Sequence, residues 1–246
     1  MPISIAIVCE GSSDQRTGSC LADRVCCAEI DWLEEEILPH VRAWRGLDPK
    51  NAYLEWTAAA RLSRTKRIPI GGFSGGPAAP DAHAARKALW LLHDSEHPPD
   101  AIVLLRDSDG DPHRRRGLEQ ARRSTSFRTP IVIGVADRNR ECWVLAGFEP
   151  LDETEKNRLT EIEQEIGFDP RVVAHRLTGS RRSPKKDAKR VLAQLTGGDR
   201  DREAECCTGT DLSILEERGE KTGLVDYLAE IRTKLVPSVS ASRRPS

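Results

Sequence analysis

The sequence is poor in aromatic residues, in methionine and in long apolar runs. Phe, Trp and Tyr make up 4% of the 246 residues, and there is a single Met. No stretch approaches the roughly 18 apolar residues that a membrane-spanning helix needs. The N-terminal segment has neither the basic region nor the small-residue cleavage site that are typical of a signal peptide. We therefore expect a cytoplasmic protein with a modest core and no membrane segment.

Cysteine pairs with metal-binding spacing are also missing. The seven cysteines include no CxxC pair and no Cys/His spacing suited to zinc, so we expect reduced thiols. Neither sign of charge dominates, because 38 Lys and Arg residues stand against 39 Asp and Glu residues. The overall charge gives no indication of a nucleic-acid partner, so any such contact has to be local.

Short apolar runs at intervals along the chain indicate an α/β fold. Residues 101–105 and 130–136 are apolar throughout and residues 3–9 are apolar except for Ser4, which is typical of parallel strands buried on both faces. A weaker strand candidate spans residues 67–70. Helical spacing of apolar residues between these runs predicts crossover helices. We therefore predict a mainly parallel four-stranded sheet flanked by helices.

The rest of the chain is predicted to be helical. Before the acidic segment, helices are predicted near residues 20–44, 52–62 and 81–93. Residues 149–236 contain further helical segments separated by polar loops, and residues 237–246 are rich in Ser, Arg and Pro. We therefore divide the chain into an α/β domain at 1–148, a helical C-terminal extension at 149–236 and a disordered tail at 237–246.

Three carboxylates stand where predicted strands end. Glu10 follows the first strand, and Asp107 and Asp109 follow the strand at 101–105. In open α/β sheets the functional crevice lies beyond the carboxyl ends of the strands. Carboxylates crowded there would repel one another, and a hard dication that prefers oxygen ligands removes this repulsion. The sequence therefore predicts a site for one or two Mg²⁺ (or Mn²⁺) ions.

Other motifs with an Asp-x-Asp core fit this segment less well. A calcium-binding EF-hand loop would need Gly and Glu where Pro112 and Leu118 stand. A haloacid-dehalogenase-type phosphatase would use Asp107 as nucleophile, but its motif normally lies on the first strand and continues to Thr or Val instead of Asp111. The glycine-rich loop at 71–76 lacks the Lys-Ser/Thr of a phosphate-binding loop. The phosphatase remains a weaker alternative.

The order of these motifs resembles the Toprim domain. That domain has Glu-Gly after its first strand, as at Glu10, and Asp-x-Asp after its third, as at Asp107. Glu141-x-Trp143 and the run ending in Lys185 and Lys186 make the chain similar to small Toprim-like proteins of prokaryotic defence loci, of the AbiL kind. These proteins are paired with AAA-type ATPases and related to nucleases of the overcoming-lysogenization-defect type. The resemblance covers residues 3–148 as a fold and reaches Lys185 by motif.

This resemblance implies a Mg²⁺-dependent nuclease that hydrolyses phosphodiester bonds in DNA or RNA. Glu10, Asp107 and Asp109 would form the metal-binding and acid-base core, and Lys185 would offset charge on the phosphate. Glu141 would be a further metal ligand. Asp111 is an additional candidate ligand that the family pattern does not require. The candidate nucleic-acid contacts are Arg114, Arg115, Arg116 and Lys186.

The resemblance also implies a biological setting. The chain would be the effector of an antiphage defence system and would have a partner ATPase, and a homo-oligomer is compatible with the sequence. The alternative is a non-catalytic regulatory subunit that keeps the fold and docks its helical extension on the ATPase. The motifs do not distinguish a DNA substrate from an RNA substrate.

Overall fold

The computed structural model, which describes residues 2–68, 72–73, 76–178 and 184–242, contains a five-stranded sheet. The strands are β1 (Ile3–Cys9), β2 (Arg42–Arg45), β3 (Leu54–Glu55), β4 (Ala101–Asp107) and β5 (Ile131–Ala136). β1 pairs in parallel with β2, β3 and β4, and the order along the sheet is β2-β1-β4-β5. The mostly parallel α/β sheet is confirmed, but it has five strands where we predicted four.

Helices flank the sheet and make up most of the chain after β5. The α-helices are α1 (Ser12–Glu29), α2 (Leu38–Val41), α3 (Trp56–Thr65), α4 (Ala82–His93), α5 (Arg114–Arg123), α6 (Arg140–Ala146), α7 (Glu153–Ile166), α8 (Ala188–Thr196), α9 (Arg200–Thr208), α10 (Leu212–Gly219), α11 (Leu224–Glu230) and α12 (Val236–Ala241). Short 3₁₀ segments lie at Glu35–Ile37, Ala174–Arg176, Pro184–Lys186 and Glu220–Thr222, and a π segment lies at Ile231–Leu235. No helix in the described part of the chain is long and apolar enough to cross a membrane.

Strand β2 replaces the end of the helix that we predicted over residues 20–44. Its residues Arg42 and Trp44 both donate to the carboxylate of Asp23 in α1, from Nε at 2.7 Å and from Nε1 at 3.1 Å. Burial raises the pKa of Asp23, although the bonds from Arg42 favour its charged form. This pairing between distant residues fixes a strand whose own sequence is polar. The strand candidate at 67–70 is not seen at residues 67–68, and residues 69–70 lie outside the described residues.

The chain forms two compact units whose limits differ from our predicted domains. The first unit contains residues 1–106, 111–135 and 227–246, and the second contains residues 107–110 and 136–226. The predicted boundary at 148 lies inside the second unit, which resumes at residue 136. The predicted boundary at 236 lies inside the first unit, because the last helices pack on α1. The predicted disordered tail is helical up to Ala241, and residues 243–246 lie outside the described residues.

In the first unit both faces of the sheet are covered by helices. Ile102, Leu104 and Ile133 pack into a buried cluster with residues of α3, α4 and α5. On the opposite face, the side chain of Leu105 lies so close to Gly18 of α1 that a Cβ there would come within 2.2 Å of it. The buried apolar strands therefore agree with the continuous apolar runs from which we predicted them.

The C-terminal helices complete the second face of this unit. Tyr227 is fully buried, and its hydroxyl donates to the carbonyl of Gly18 at 2.8 Å. Ile231 and Leu235 lie in the π segment and are also fully buried. Pro237 lies in the first turn of α12, two residues after this segment, and because its nitrogen has no hydrogen to donate, the helical hydrogen-bond pattern must change there. Apolar burial thus keeps the chain helical on both sides of Pro237.

The second unit is helical and has its own core. Phe148, Leu195 and Leu215 are completely buried within it. At its edge the guanidinium of Arg202 binds both carboxylate oxygens of Glu155, at 2.8 and 2.9 Å. These hydrogen bonds are the main reason why the pKa of Glu155 lies below its ordinary value of 4.5.

Gly117 gives a test of the packing between α4 and α5. A Cβ at this position would lie 1.6 Å from the carbonyl oxygen of Pro80. Ala has a higher intrinsic helix propensity than Gly. Because of this overlap, we nevertheless expect Gly117→Ala to lower the free energy of unfolding by about 1–3 kcal/mol. Urea denaturation measures the change. Gly11→Ala is the control without an overlap, since nothing lies within 4 Å of the added Cβ; because Ala is a poorer helix N-cap than Gly, it should lower stability by no more than about 1 kcal/mol.

Glu155 gives a test of the ion pair in the second unit. A carboxylate whose pKa is lowered by folding stabilises the fold above its unfolded-state pKa, and this contribution disappears as the pH falls through the folded-state value. We therefore expect Glu155→Gln to be less stable than the parent protein at neutral pH and to lose less stability on acidification below about pH 4.5. Urea denaturation as a function of pH measures both. Glu161→Gln, exposed on the same helix, should retain the parent profile.

Candidate acidic site at the ends of β4 and β5

The loop after β4 is held by backbone hydrogen bonds to the end of β5 and the segment that follows it. The amide of Ser108 donates to the carbonyl of Ala136 at 2.8 Å, and the amide of Asp109 donates to the carbonyl of Arg138 at 3.0 Å. Both bonds lie within the second unit. The loop therefore continues the pairing of two neighbouring strands beyond their last residues, and polar side chains from both follow at the same place.

Asp107 contacts the start of α6. One oxygen of its carboxylate accepts a hydrogen bond from the backbone amide of Arg140 at 2.9 Å. Asn139, which precedes the helix, makes no side-chain capping bond of its own. Asp107 thus satisfies an amide that the first turn of a helix leaves without an intrahelical partner. This contact orients the carboxylate and gives it a structural role.

Asp109 and Gly110 form the turn of this loop. Asp109 has φ = 48° and Gly110 has φ = 81°, both in the left-handed region. Asp tolerates this conformation better than most residues do, and Gly adopts it freely. A Cβ at Gly110 would also lie 2.7 Å from Nη1 of Arg138. The turn leaves Asp109 exposed to solvent.

Asp137 is a further acid at this place, directly after β5. Its carboxylate accepts a hydrogen bond from the hydroxyl of Ser108 at 2.7 Å. The same hydroxyl accepts a bond from the amide of Gly110 at 3.1 Å. Ser108 therefore links Asp137 to the turn that carries Asp109, and the carboxylates at the ends of β4 and β5 belong to one hydrogen-bonded loop structure.

Glu141 lies in the first turn of α6 and is 8% exposed. Its Oε1 accepts from Nη2 of Arg140 at 3.2 Å, and the same Nη2 binds Glu203 at 3.0 Å. The other oxygen, Oε2, is buried and has no hydrogen-bond partner in the part of the chain that the structure describes. A buried polar atom of this kind is normally satisfied by a bound cation, a water molecule or a proton.

Glu10 belongs to the first unit, at the end of β1. Its side chain is 42% exposed, and its Oε1 lies 3.1 Å from Nη1 of Arg106. Arg106 also lies 3.3 Å from the carboxylate of Asp81. The carboxylate of Glu10 is therefore already neutralised by a cation within its own unit.

The two cysteines next to the predicted acids are poor candidates for ligands or nucleophiles. Burial raises the pKa of the Cys9 thiol well above its ordinary range, and Cys9 donates to the carbonyl of Gly11 at 3.3 Å. Burial likewise raises the pKa of Cys142 to about 12. Both side chains therefore remain protonated thiols near neutral pH, and the thiolate is the form that binds metals and attacks electrophiles.

The donors at the ends of β4 and β5 fit a hard dication by their chemistry. They are carboxylate oxygens, which Mg²⁺ prefers as ligands, and the unpartnered Oε2 of Glu141 is an atom that a cation would satisfy. Among residues 2–68, 72–73, 76–178 and 184–242, no three His, Cys, Asp or Glu side chains are grouped so that they could hold a metal ion.

Comparison of the chain with protein-family models, with curated proteins and with solved structures gives no match. The resemblance to the Toprim domain therefore remains a prediction, and so do the roles that it implies for individual residues.

Asp111 and the predicted arginine contacts lie in the first unit, at and before the start of α5. The carboxylate of Asp111 accepts from the amide of His113 at 2.9 Å, as in an ordinary turn. Arg114 lies 3.5 Å from Asp81, and Arg115 lies 3.4 Å from Glu119. Arg116 is exposed and has no ion-pair partner in the described part of the chain. Of these three arginines, Arg116 alone is therefore unpaired there.

The predicted lysine contacts lie in the second unit. The side chain of Lys185 is 72% exposed, and its Nζ lies 3.9 Å from Glu165. The Nζ of Lys186 lies 5.4 Å from the ring centroid of Phe168. Phe168 also lies under the guanidinium of Arg176, at 4.5 Å. Lys185 is the more accessible of the two for a ligand, while Lys186 packs over an aromatic ring.

Sequence reasoning missed three residues near the predicted acids, which are Asp137 and Arg140 in the second unit and Arg106 in the first. Asp137 carried a signal that could have been used, because it directly follows the apolar run at 130–136, as Asp107 follows the run at 101–105. The two arginines carried no such signal, since their partners are distant in sequence or belong to a helix start whose geometry was unknown.

The capping role of Asp107 leads to a prediction about stability. We expect Asp107→Ala to lower the free energy of unfolding by about 1 kcal/mol because the Arg140 amide loses its acceptor. Asp107→Asn keeps an acceptor oxygen and should retain most of the stability. Urea denaturation in the presence of a chelator measures both variants without any contribution from a metal. Equal stability of Asp107→Ala and Asp107→Asn would contradict the capping role.

Proposed function

We propose that the chain is a Mg²⁺-dependent nuclease that hydrolyses phosphodiester bonds in DNA or RNA. The observation that carries the proposal is the arrangement at the ends of β4 and β5, where Asp107, Asp109 and Asp137 occupy one hydrogen-bonded loop structure. These carboxylates lie at the carboxyl ends of neighbouring strands, which is where open α/β sheets bind ligands. Mg²⁺ binds preferentially to oxygen ligands, and carboxylates supply them. The buried, unpartnered oxygen of Glu141 adds to this support.

In this proposal the chain's own residues have distinct tasks. Asp107 and Asp109 would hold the ion, and the Arg140 amide orients the first of them. When bound, Mg²⁺ supplies Lewis acidity toward the oxygens of a phosphodiester. Glu10 keeps its predicted role as ligand or general base, and Lys185 keeps its predicted role of offsetting charge on the phosphate.

The proposed setting rests on the resemblance to Toprim-like proteins of defence loci. In that setting the chain is a cytoplasmic effector of antiphage defence that works beside an AAA-type ATPase. The test of nuclease activity should therefore be made with and without the neighbouring ATPase.

The nuclease proposal predicts metal-dependent cleavage that needs the Asp-x-Asp pair. Purified protein is incubated with plasmid, single-stranded DNA and tRNA, with Mg²⁺, Mn²⁺ or chelator, and products are separated on gels. We expect Asp107→Asn/Asp109→Asn to lose about a hundredfold or more of the activity, because transition-state charge is no longer stabilised. Asn is preferred to Ala at both positions because it keeps the capping acceptor and tolerates the left-handed turn.

Asp94→Asn, at an exposed position after α4, is the matched control and should cleave at the parent rate. Glu10→Gln tests the prediction that Glu10 joins the site. If no substrate is cut above the level of the Asp107→Asn/Asp109→Asn variant, with or without the ATPase, the nuclease proposal is wrong.

A non-catalytic regulatory subunit is the second candidate, and the ion pairs of two predicted ligands favour it. Glu10 is paired with Arg106, and Glu141 is paired with Arg140. Acids used only for internal ion pairs would serve stability and docking. Under this alternative, Glu10→Gln leaves both the function of the complex and its assembly intact, whereas a nuclease loses function and keeps assembly.

A further inference from the structure

The first unit contains a cavity that the predicted site does not use. Its volume is about 910 Å³, and it lies between the β2–β3 loop, helix α3 and the segment 95–97. We refer to it as the α3 cavity. Small-molecule sites commonly have volumes of about 300–1,000 Å³, so the space suits a ligand of moderate size.

The walls of the α3 cavity are fixed by buried contacts. Arg45 is 3% exposed, and its guanidinium donates to the carbonyl of Leu47 at 3.0 Å and to the carbonyl of His97. Leu47 and His97 belong to two different sides of the cavity. One buried side chain therefore holds both sides in place, so the cavity does not depend on a ligand for its shape.

The two ends of the β2–β3 loop also pack closely against each other. The amide of Gly46 donates to the carbonyl of Asn51 at 2.6 Å, and a Cβ at Gly46 would lie 2.3 Å from the carbonyl oxygen of Tyr53. The two ends of the loop can approach this closely only because residue 46 is Gly. Asn51 and Tyr53 are thereby fixed in the wall of the cavity.

Three cations line the α3 cavity and have no ion-pair partner among the residues that the structure describes. They are Lys50, Arg61 and Lys66. Three acids also line the cavity. Asp48 accepts from the Lys50 amide at 2.8 Å, Glu55 accepts from the Thr57 hydroxyl at 3.2 Å, and Glu96 belongs to the segment 95–97, but none of them forms an ion pair with the three cations. Cations without carboxylate partners in a concave site attract an anionic ligand.

The remaining lining suits a flat, partly apolar group. Tyr53 offers an aromatic ring, Leu54 and Leu62 offer apolar surface, and Asn51 offers an amide that can both donate and accept hydrogen bonds. Stacking on an aromatic ring and amide hydrogen bonding are how proteins bind nucleobases. Phosphate-binding cations and a base-binding wall therefore occur in one cavity.

We propose that the α3 cavity binds a nucleotide, with its phosphate at Arg61 and Lys66 and its base at Tyr53. The nucleotide could come from two sources, a free mononucleotide or one unit of a single-stranded nucleic acid. The second source rests on the proposed nuclease function. It is compatible with the place of the cavity, because its wall residue Glu55 pairs with Cys9, which directly precedes Glu10.

Binding is tested with the full chain in chelator, so that cleavage plays no part. Isothermal titration is carried out with AMP, with UMP and with short single-stranded DNA and RNA oligonucleotides. We expect Arg61→Gln and Lys66→Gln each to weaken binding about ten- to a hundredfold, the effect of losing one charged hydrogen bond. Arg64→Gln is the matched control, because Arg64 is exposed on the same helix and does not line the cavity.

Tyr53→Leu distinguishes the contribution of the base to binding from that of the phosphate. It should weaken binding of AMP and leave the weak binding of ribose 5-phosphate unchanged, whereas Arg61→Gln should weaken both. Thermal denaturation of each variant checks that the fold is retained. Binding of mononucleotides identifies the free nucleotide as ligand, and binding of oligonucleotides alone identifies the strand.

The proposal is overturned if neither kind of ligand binds at millimolar concentration. It is equally overturned if Arg61→Gln and Arg64→Gln bind with the same affinity. Because no cleavage is measured, loss of the nuclease proposal would leave these results unaffected. Conversely, the protein could cleave nucleic acid while Arg61→Gln leaves its affinity for oligonucleotides unchanged. That result would support the nuclease proposal and contradict the proposal of a nucleotide site in the α3 cavity.

Discussion

The hydrogen bonds from the Ser108 and Asp109 amides to the segment after β5 are the constraint on which the acidic region depends. β5 ends with the buried Ala136 and β4 ends with the half-buried Arg106 and Asp107, and the backbone groups that follow must find partners as the chain leaves the sheet. The amides after β4 find these partners in the carbonyl groups at and after the end of β5. The polar side chains at these positions are therefore brought together by a backbone requirement, and Asp107 then caps the helix that begins at Arg140.

A second consequence concerns how the carboxylates are neutralised. Within the first unit Arg106 pairs with Glu10, and within the second unit Arg140 pairs with Glu141. A carboxylate in a partly buried environment needs a counter-charge, and an internal arginine supplies it without a metal. A dication that binds Glu10 or Glu141 has to compete with these arginines. The affinity for the metal would then depend on whether each displaced guanidinium finds another hydrogen-bond acceptor.

The sequence predicted what depends on local pattern and missed what depends on distant partners. β4 and β5 were predicted because residues 101–105 and 130–136 are apolar throughout, and the position of Asp107 followed from the end of β4. β2 was missed because its polar residues are held by Asp23, on a helix about twenty positions earlier in the chain. The return of the C-terminal helices to α1 was missed for the same reason, since the contact between Tyr227 and Gly18 has no local signature.

Charge density along the sequence and charge available to a ligand are different quantities in this chain. The arginines of α5 stand out as a basic run, yet Arg114 and Arg115 lie beside carboxylates of their own unit. Arg61 of α3 and Lys66, which directly follows this helix, also belong to a basic segment, yet they line a cavity and lack ion-pair partners in the described part of the chain. A cation already paired with a carboxylate must lose that partner before it binds a phosphate, whereas an unpaired one loses only water. Anion recognition is therefore better inferred from the partners that cations lack than from the number of cations in a run.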